Sequence, residues 1–344
     1  MNKGIYPWQK NIWQQLNADQ QRLPHALLLY GRAGIGKLEF ATNFSRALLC
    51  TQTNAEGYAC GQCASCNWFN EGSHPDFKIL TPEQDAEPED GVVSTKKTKK
   101  KTQISVTQIR ELANFLNLSS HQNSGLRIIL LHPAETLNLA SANALLKMLE
   151  EPASGVIFIL VTHQIQRLLP TILSRCQKVS MPIPTETESL TWLKEQGTQN
   201  AAEQLAYFDG SPLKVLNEQS QFNQIKDTWR MLALGAKLEP NLAATTLLAS
   251  TAEVGTSSIS AAENAIITMQ KWLYDIVLMR QAKQAHYHVQ HKATFQKLAE
   301  NVNLSKLFNL QKNLDELRKL ANHPLNHELQ IESLLFEYTK IFTK

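Results

Sequence analysis

Residues 141–176 have the sequence SANALLKMLEEPASGVIFILVTHQIQRLLPTILSRC, which predicts a helix, a strand and a short polar arm in succession. Apolar or small residues recur at helical spacing over 143–149, and Pro152 ends this helix. The run 156–161 is continuously apolar, which is typical of a parallel strand buried on both faces. The stretch therefore predicts an α/β domain.

Two polar residues in this stretch mark where we expect functional chemistry. Thr162 follows the apolar run directly, at the carboxyl end of the strand, where open α/β sheets place their ligand contacts. Arg175 lies in the Ser-Arg-Cys sequence that ends the arm, with no acidic residue beside it in the sequence. An arginine without a local partner favours chemistry that is shared with a neighbouring molecule.

The length and composition are those of an ordinary globular protein. The chain has 344 residues, enough for two or three domains, and its 43% hydrophobic and 7% aromatic content is typical of soluble proteins. No apolar run approaches the roughly 20 residues that span a bilayer, and the first residues carry no signal-peptide core. We therefore expect a cytoplasmic protein with no membrane association.

The formal net charge of +3 is modest and indicates little about partners. A charged segment at about 82–102 contains five acids and then five lysines, so that its charges cancel. The segment has no apolar periodicity, and we interpret it as a disordered, solvated loop. The alternative interpretation is a nucleic-acid-binding patch.

A glycine-rich loop follows a short apolar strand, ALLLY at 26–30, and precedes a helix. The loop contains Gly31, Gly34, Gly36 and Lys37, in the strand–loop–helix context of a phosphate-binding P-loop. Such glycines let backbone N–H groups point at phosphates, and the helix N-terminus adds partial positive charge.

This P-loop lacks both oxygen ligands that a magnesium nucleotide site requires. Leu38 occupies the place of the Ser or Thr that follows the lysine, and His132 occupies the place of the Asp after the strand at 127–131. We therefore do not expect ATP binding in cis and interpret 31–37 as an inherited tight turn. Productive ATP binding stays open as the alternative.

Four of the five cysteines have the spacing C-x9-C-x2-C-x2-C and stand at Cys50, Cys60, Cys63 and Cys66. In a cytosolic protein such crowding indicates a metal site rather than disulfides. Four thiolates suit Zn²⁺ in a closed structural site, and an iron–sulfur cluster would use the same ligands. We predict an inserted zinc module at about 50–66. Cys176 is interpreted as a packing residue.

The domain organisation follows from changes in composition along the chain. We predict a first, α/β domain at 1–177, followed by a Pro-rich linker at 178–184. The linker opens a small helical domain at 178–221, and the remainder, 222–344, has only helical periodicity.

Several segments taken together resemble the bacterial AAA+ clamp-loader family of DNA polymerase III. The most specific are the long run NALLKMLEEP and the Ser-Arg-Cys arm, and the others are Tyr6-Pro7-Trp8-Gln9, the glycine loop, the cysteine module and Ser73-His74-Pro75-Asp76. The missing magnesium ligands at Leu38 and His132 point to the non-motor, delta-prime branch of that family.

The resemblance implies an architecture and a set of partners. It implies a RecA-like AAA+ domain with a parallel sheet, a small helical lid and an all-α collar used in oligomerisation. It also implies a hetero-pentamer with gamma/tau motor subunits and a clamp-opening delta subunit, which places the sliding clamp on primed DNA. Arg175 matches the arginine that reaches the ATP site of the adjacent motor subunit. The alternative is that Arg175 forms a surface ion pair.

Two rival functions stay open. The chain could be an active ATP-hydrolysing motor of the gamma/tau type, against which Leu38 and His132 count. It could also be a DNA-binding module that uses the cysteine site and the lysines at 96–101. Against the second, the cysteine module has few basic or aromatic residues.

Overall fold

The computed structural model describes residues 4–18, 22–82, 103–117, 125–251, 260–320 and 326–343. The chain divides into two compact units, Met1–Pro184 and Thr185–Lys344. Apart from residue 82, the charged segment predicted at 82–102 lies outside the described residues. The division of the second unit into a lid and a collar at residue 221 stays a prediction.

A parallel sheet forms the centre of the first unit. Its five strands in the described residues are β1 (Ala26–Tyr30), β2 (Phe77–Leu80), β3 (Arg127–Leu131), β4 (Val156–Thr162) and β5 (Gln177–Ser180). The strand order is β2-β3-β4-β1-β5, and each neighbouring pair is parallel. Every residue of β4 is buried, which confirms the prediction of a central strand covered on both faces.

Helices cover both faces of this sheet. Those described in the first unit are α1 (Lys10–Ala18), α2 (Lys37–Leu49), α3 (Ala64–Asn70), α4 (Val106–Asn117), α5 (Leu139–Glu150) and α6 (Pro170–Leu173). Leu28 of β1 packs in one core with α4, α5 and α6, whereas Leu27 and Leu29 pack in a second core with α1 and α2. The glycine loop joins β1 to α2. The predicted α/β fold of the P-loop type is thereby confirmed.

The start of the predicted linker differs from the structure. Residues 178–180 belong to β5, which pairs with β1 so that Lys178 lies opposite Leu28. Val179 is buried between the exposed Lys178 and Ser180, the alternation of a strand with one covered face. Such a short segment followed by prolines carries too little periodicity to be distinguished from a linker in the sequence.

The second unit is all-helical in its described residues, as predicted. Its helices are α7 (Glu186–Glu195), α8 (Ala201–Tyr207), α9 (Pro212–Asn217), α10 (Gln219–Leu232), α11 (Pro240–Ser250), α12 (Ala261–Ala282), α13 (Lys292–Asn301), α14 (Leu304–Leu320) and α15 (His327–Lys340). One core extends from Tyr207 on α8 through Trp229 and Trp272 to Tyr338 on α15. In the part of the chain that the structure describes, each helix is too short or too polar to span a lipid bilayer.

Candidate functional site

The glycine loop has the backbone conformation that its sequence predicts. Gly34 and Gly36 adopt positive φ angles of 76° and 84°, a left-handed conformation that glycine reaches without strain. Gly36 is also in close contact with the ring of Tyr6, and a β-carbon at this position would collide with that ring. The sharp turn into α2 therefore depends on Gly36 for its φ angle and for space.

Residues from the N-terminus pack directly on this loop. The indole nitrogen of Trp8 donates to the carbonyl oxygen of Ile35 at 2.9 Å. The amide nitrogen of Gln9 donates to the carbonyls of Ile35 and Gly36 at 2.9 and 2.8 Å. Tyr6 stacks on Trp8 with ring centroids 5.0 Å apart. Side chains of residues 6–9 thus cover one side of the loop, a contact that the spacing of the glycine motif does not predict.

Lys37 is directed at the loop that precedes it. Its buried ammonium group donates to the carbonyl of Gly31 at 2.8 Å and to the carbonyl of Arg32. The neighbouring Leu38 packs at the edge of the apolar core that α2 shares with the sheet. Lys37 is thus held by backbone oxygens, and Leu38 supplies no oxygen to a metal ion.

His132 follows β3 and packs edge-to-face on His163, which follows β4, with ring centroids 5.2 Å apart. Burial, together with the charges of His163 and Lys37, lowers the pKa of His132 to about 4, so the imidazole is neutral at pH 7. The carboxylate of Glu135 accepts from the Thr162 hydroxyl at 2.8 Å and from the His163 backbone N–H at 3.0 Å. A neutral imidazole is a poor Mg²⁺ ligand, and the nearby carboxylate has protein donors on both oxygens.

The four predicted cysteines lie together at the far end of α2. Their sulfur atoms all lie within 4.8 Å of one another. The Sγ–Sγ distances are 3.8 Å for Cys50–Cys63, 4.0 Å for Cys60–Cys66 and 3.7 Å for Cys50–Cys66. These distances exceed a disulfide bond and agree with the edge of about 3.8 Å that a tetrahedron of metal–sulfur bonds of about 2.3 Å requires. The cluster could therefore hold a metal ion.

Backbone donors support the sulfur cluster. The N–H groups of Cys60, Cys63 and Cys66 donate to the sulfurs of Cys50, Cys60 and Cys63 at 3.3, 3.3 and 3.4 Å respectively. Such N–H···S contacts stabilise thiolates, the form in which cysteine binds metal. These contacts place the backbone of the loop and of the first turn of α3 around the sulfur atoms.

His74 ties the cysteine module to the sheet and lies outside the sulfur cluster. The backbone N–H of Asp76 donates to its Nδ1 at 3.0 Å, and its Nε2 lies 2.9 Å from the Ser65 hydroxyl. Ser65 lies 2.6 Å from the carbonyl of Leu49 and donates to it, so Nε2 carries the proton. The relay joins the start of α3 to the segment that leads into β2.

Arg175 lies on the arm after α6, with its side chain about one-third exposed. Its Nη2 is 2.5 Å from a carboxylate oxygen of Glu150, the last residue of α5. Its Nη1 donates to the carbonyl of Thr171 at 2.9 Å and lies 3.4 Å from the Ser174 hydroxyl. The arginine without an acidic neighbour in sequence has one in space.

The family model described as "DNA polymerase III, delta subunit" matches residues 8–185, more than half of the chain. The chain belongs to this family. It is 41% identical over 213 residues to the DNA polymerase III subunit delta' of Pseudomonas aeruginosa, which covers 61% of this chain and 60% of that protein. It is 34% identical over 197 residues to the same subunit of Escherichia coli K12, with 57% and 54% covered. The predicted kinship with the delta-prime branch is confirmed.

The chain matches about 60% or less of the length of these relatives, and the family model ends where the helical unit begins. Among solved structures, a DNA polymerase III gamma subunit-related protein from Thermotoga maritima aligns over 96% of this chain and 99% of its own. The TM-score is 0.46 and the identity 16%, which is too distant to support an inference about function.

The predicted site residues of this family member fall into three settings. Gly31, Gly34, Gly36 and Lys37 form one loop, the four cysteines form one cluster, and Arg175 is held by residues of α5 and its own arm. Sequence reasoning missed the cover formed by Tyr6, Trp8 and Gln9, and it missed Glu150. The available signal for Glu150 was its position, because a carboxylate at a helix C-terminus is unfavourable without a cationic partner.

Proposed function

We propose that this chain is the non-motor subunit that completes the ring of the DNA polymerase III clamp loader. In this proposal it has no ATPase activity of its own and supplies Arg175 in trans to the ATP site of an adjacent motor subunit. The other members of the hetero-pentamer are gamma/tau motor subunits and a clamp-opening delta subunit. The ring as a whole acts on the sliding clamp and primer-template DNA.

The observation that carries the proposal is the contrast between a nucleotide loop without metal ligands and an arginine on a surface arm. In cis, Leu38 offers no oxygen, His132 is a neutral imidazole, and Lys37 bonds to backbone carbonyls. Phosphoryl transfer depends on a positioned Mg²⁺ and on charge stabilisation, so this loop lacks the parts for hydrolysis. Membership of the family supports the proposal that a neighbouring subunit of a ring provides the ATP site at which Arg175 acts.

The chemistry of Arg175 fits the transfer of a phosphoryl group. A guanidinium is planar, always charged, and able to donate to two phosphoryl oxygens at once. In the loose transition state the charge spreads over those oxygens, and an arginine delivered in trans is worth about 10³–10⁵ in rate. An exposed ion pair, the alternative role, contributes about 0–1 kcal/mol to stability and nothing to a neighbour's chemistry.

The test is Arg175→Ala in the reconstituted clamp loader. We expect the ring to assemble normally by size-exclusion chromatography. ATP hydrolysis stimulated by clamp and primed DNA should fall by the fraction of the total rate that comes from the ATP site next to Arg175. Arg167→Ala is the matched control, since Arg167 is exposed in the segment before the same arm. Unchanged hydrolysis in Arg175→Ala would rule out the proposed role.

The competing function, an active gamma/tau-type motor, makes a different prediction for the chain alone. A motor binds ATP in a magnesium-dependent manner and turns it over, whereas the proposed subunit does neither. Calorimetric titration of the purified chain with ATP and ADP, with and without Mg²⁺, separates the two. Tight magnesium-dependent binding with turnover would transfer the assignment to the motor.

We also propose that the ion of the cysteine cluster is structural Zn²⁺. Four sulfur ligands fill a tetrahedral coordination shell and leave no position for water or substrate. Zinc, when bound, would hold the loop and α3 together without taking part in hydrolysis. The second unit, in the same proposal, comprises a lid up to residue 221 and a collar from 222 that contacts the other subunits.

A further inference from the structure

The guanidinium of Arg175 is held at both of its terminal nitrogens. Glu150 contacts Nη2 at 2.5 Å, and the carbonyl of Thr171 accepts from Nη1 at 2.9 Å. A guanidinium has five N–H donors, so these contacts orient the group and still leave donors for another acceptor. The group is therefore fixed on one side and available on the other.

The backbone on each side of this pair is anchored in one core. Leu149, which precedes Glu150, and Cys176, which follows Arg175, are both buried in the same cluster. Ile172 of α6 is fully buried there as well. Because the flanking residues are packed in one core, the backbones that carry Glu150 and Arg175 are held in a fixed arrangement. The two side chains therefore start from fixed positions.

The position of Glu150 is unfavourable for the helix that carries it. It is the last residue of α5, where the partial negative charge of the helix end repels a carboxylate. Glu151 follows and adds a second negative charge. The helix gains nothing from an acid here, whereas Arg175 gains a partner.

From this geometry we infer that Glu150 is a positioning residue for Arg175, and that it orients the guanidinium before a neighbouring nucleotide site is engaged. The inference rests on the proposed function, since it concerns the same arginine. A free arginine side chain loses much rotamer freedom when it docks. Ordering it in advance removes part of that loss from the transition state and so raises the turnover number.

The first arm of the test uses the chain alone. ¹⁵N relaxation of the Arg175 Nε–H group, assigned by its disappearance in Arg175→Lys, reports the order of the side chain. We expect Glu150→Gln to lower the order parameter markedly. Glu151→Gln is the matched control and should leave it unchanged, because Glu151 forms no ion pair with Arg175. An unchanged order parameter in Glu150→Gln would overturn the inference.

The second arm uses the reconstituted clamp loader. The Arg175-dependent rate is the stimulated hydrolysis of the wild type minus that of Arg175→Ala. We expect Glu150→Gln to lower the turnover number of this part about fivefold, the rate equivalent of a strong exposed ion pair, with the KM for ATP unchanged. Glu151→Gln should retain the full rate.

The two arms separate the inference from the function beneath it. If Arg175→Ala itself changes nothing, the proposed function fails, while the relaxation data still decide whether Glu150 orders the arginine. If Glu150→Gln disorders the side chain but leaves the rate unchanged, positioning for the reaction is overturned. A higher rate would also overturn it, because Glu150 would then restrain Arg175 from acting.

Discussion

The two ends of α2 carry two candidate ligand sites, which differ in how many of the expected ligand atoms their residues supply. At the N-terminal end, the glycine loop keeps its turn and its lysine but meets Leu38 and His132 where metal oxygens belong. At the C-terminal end, Cys50 begins a cluster of four sulfurs at mutual distances of a metal tetrahedron. At one end of the helix, the glycine loop has the shape of a nucleotide site without its metal ligands. At the other end, the cysteine cluster has both a suitable shape and a full set of possible ligands.

The difference shows which property of a site the surrounding fold preserves. The glycine loop is stabilised by packing: Trp8 and Gln9 hydrogen-bond to its backbone, and Lys37 bonds to its carbonyls. These contacts hold the turn whether or not a nucleotide binds. The cysteine loop and α3 are instead arranged around four sulfur atoms, so we expect their stability to depend on what the sulfurs bind.

The largest effect should come from removing one sulfur. Cys60→Ser replaces a thiolate by a hydroxyl, which binds zinc poorly, and we expect the variant to bind none of the single zinc ion that we propose for the cluster. The free energy of unfolding should fall by about 4 kcal/mol, near the upper end of single-substitution effects, where the loss of a metal belongs. Elemental analysis and thermal unfolding of the purified chain measure the two outcomes.

Cys176→Ala is the control for this experiment. Cys176 is buried in the core beneath α5 and α6 and lies outside the sulfur cluster, so its replacement should leave one equivalent of metal in place. Retention of a full equivalent in Cys60→Ser, with unchanged stability, would contradict the four-sulfur site.

The cysteine cluster could be predicted from the sequence because its ligands are local. Cys60, Cys63 and Cys66 stand on one short loop and the first turn of a helix, and such spacing restricts the sulfurs to one small volume. The buried strands could be predicted for a similar reason, because a continuous run of apolar residues indicates by itself a strand that is buried.

A second effect concerns His132 and has a defined pH window. Its pKa is lowered from an ordinary 6.5 to about 4, so between these values the unfolded chain binds a proton that the folded chain does not. The stability contributed by neutral His132 is complete above pH 6.5 and is lost as the pH falls towards 4. The full amount is about 3 kcal/mol, of which about 2 kcal/mol lies between pH 7 and pH 5.

The measurement compares the wild type with His132→Gln by urea unfolding at pH 7 and pH 5. Other buried histidines add to the pH dependence of both proteins, so only the difference between their slopes reports on His132. We expect the wild type to lose about 2 kcal/mol more than the variant. Equal losses would mean that His132 is accessible to protons, and the nucleotide loop would then be more open than its contacts indicate.

The side-chain contacts at the glycine loop and at Arg175 join residues that are distant in sequence. Gln9 meets Ile35, and Glu150 meets Arg175, across 26 and 25 positions respectively. Hydropathy patterns fix the elements that carry these residues but not the orientation of polar side chains between them. The short β5 was missed for a related reason, because its partner β1 rather than its own pattern makes it a strand.

The smallest effect is expected from restoring one missing oxygen. Leu38→Thr supplies the hydroxyl that follows a P-loop lysine, yet we expect the affinity for Mg²⁺·ATP to stay within about twofold of the wild type, because His132 still offers no oxygen. Titration calorimetry of the single variant and of Leu38→Thr/His132→Asp makes the comparison decisive.

Magnesium-dependent binding only in the double variant would show that the number of metal ligands alone prevents the loop from binding nucleotide. Its absence in both would place the block in Trp8, Gln9 and Lys37, whose contacts neither substitution removes. A tenfold gain from Leu38→Thr alone would contradict the contrast between the ends of α2, because one hydroxyl would then separate a scaffold from a working site.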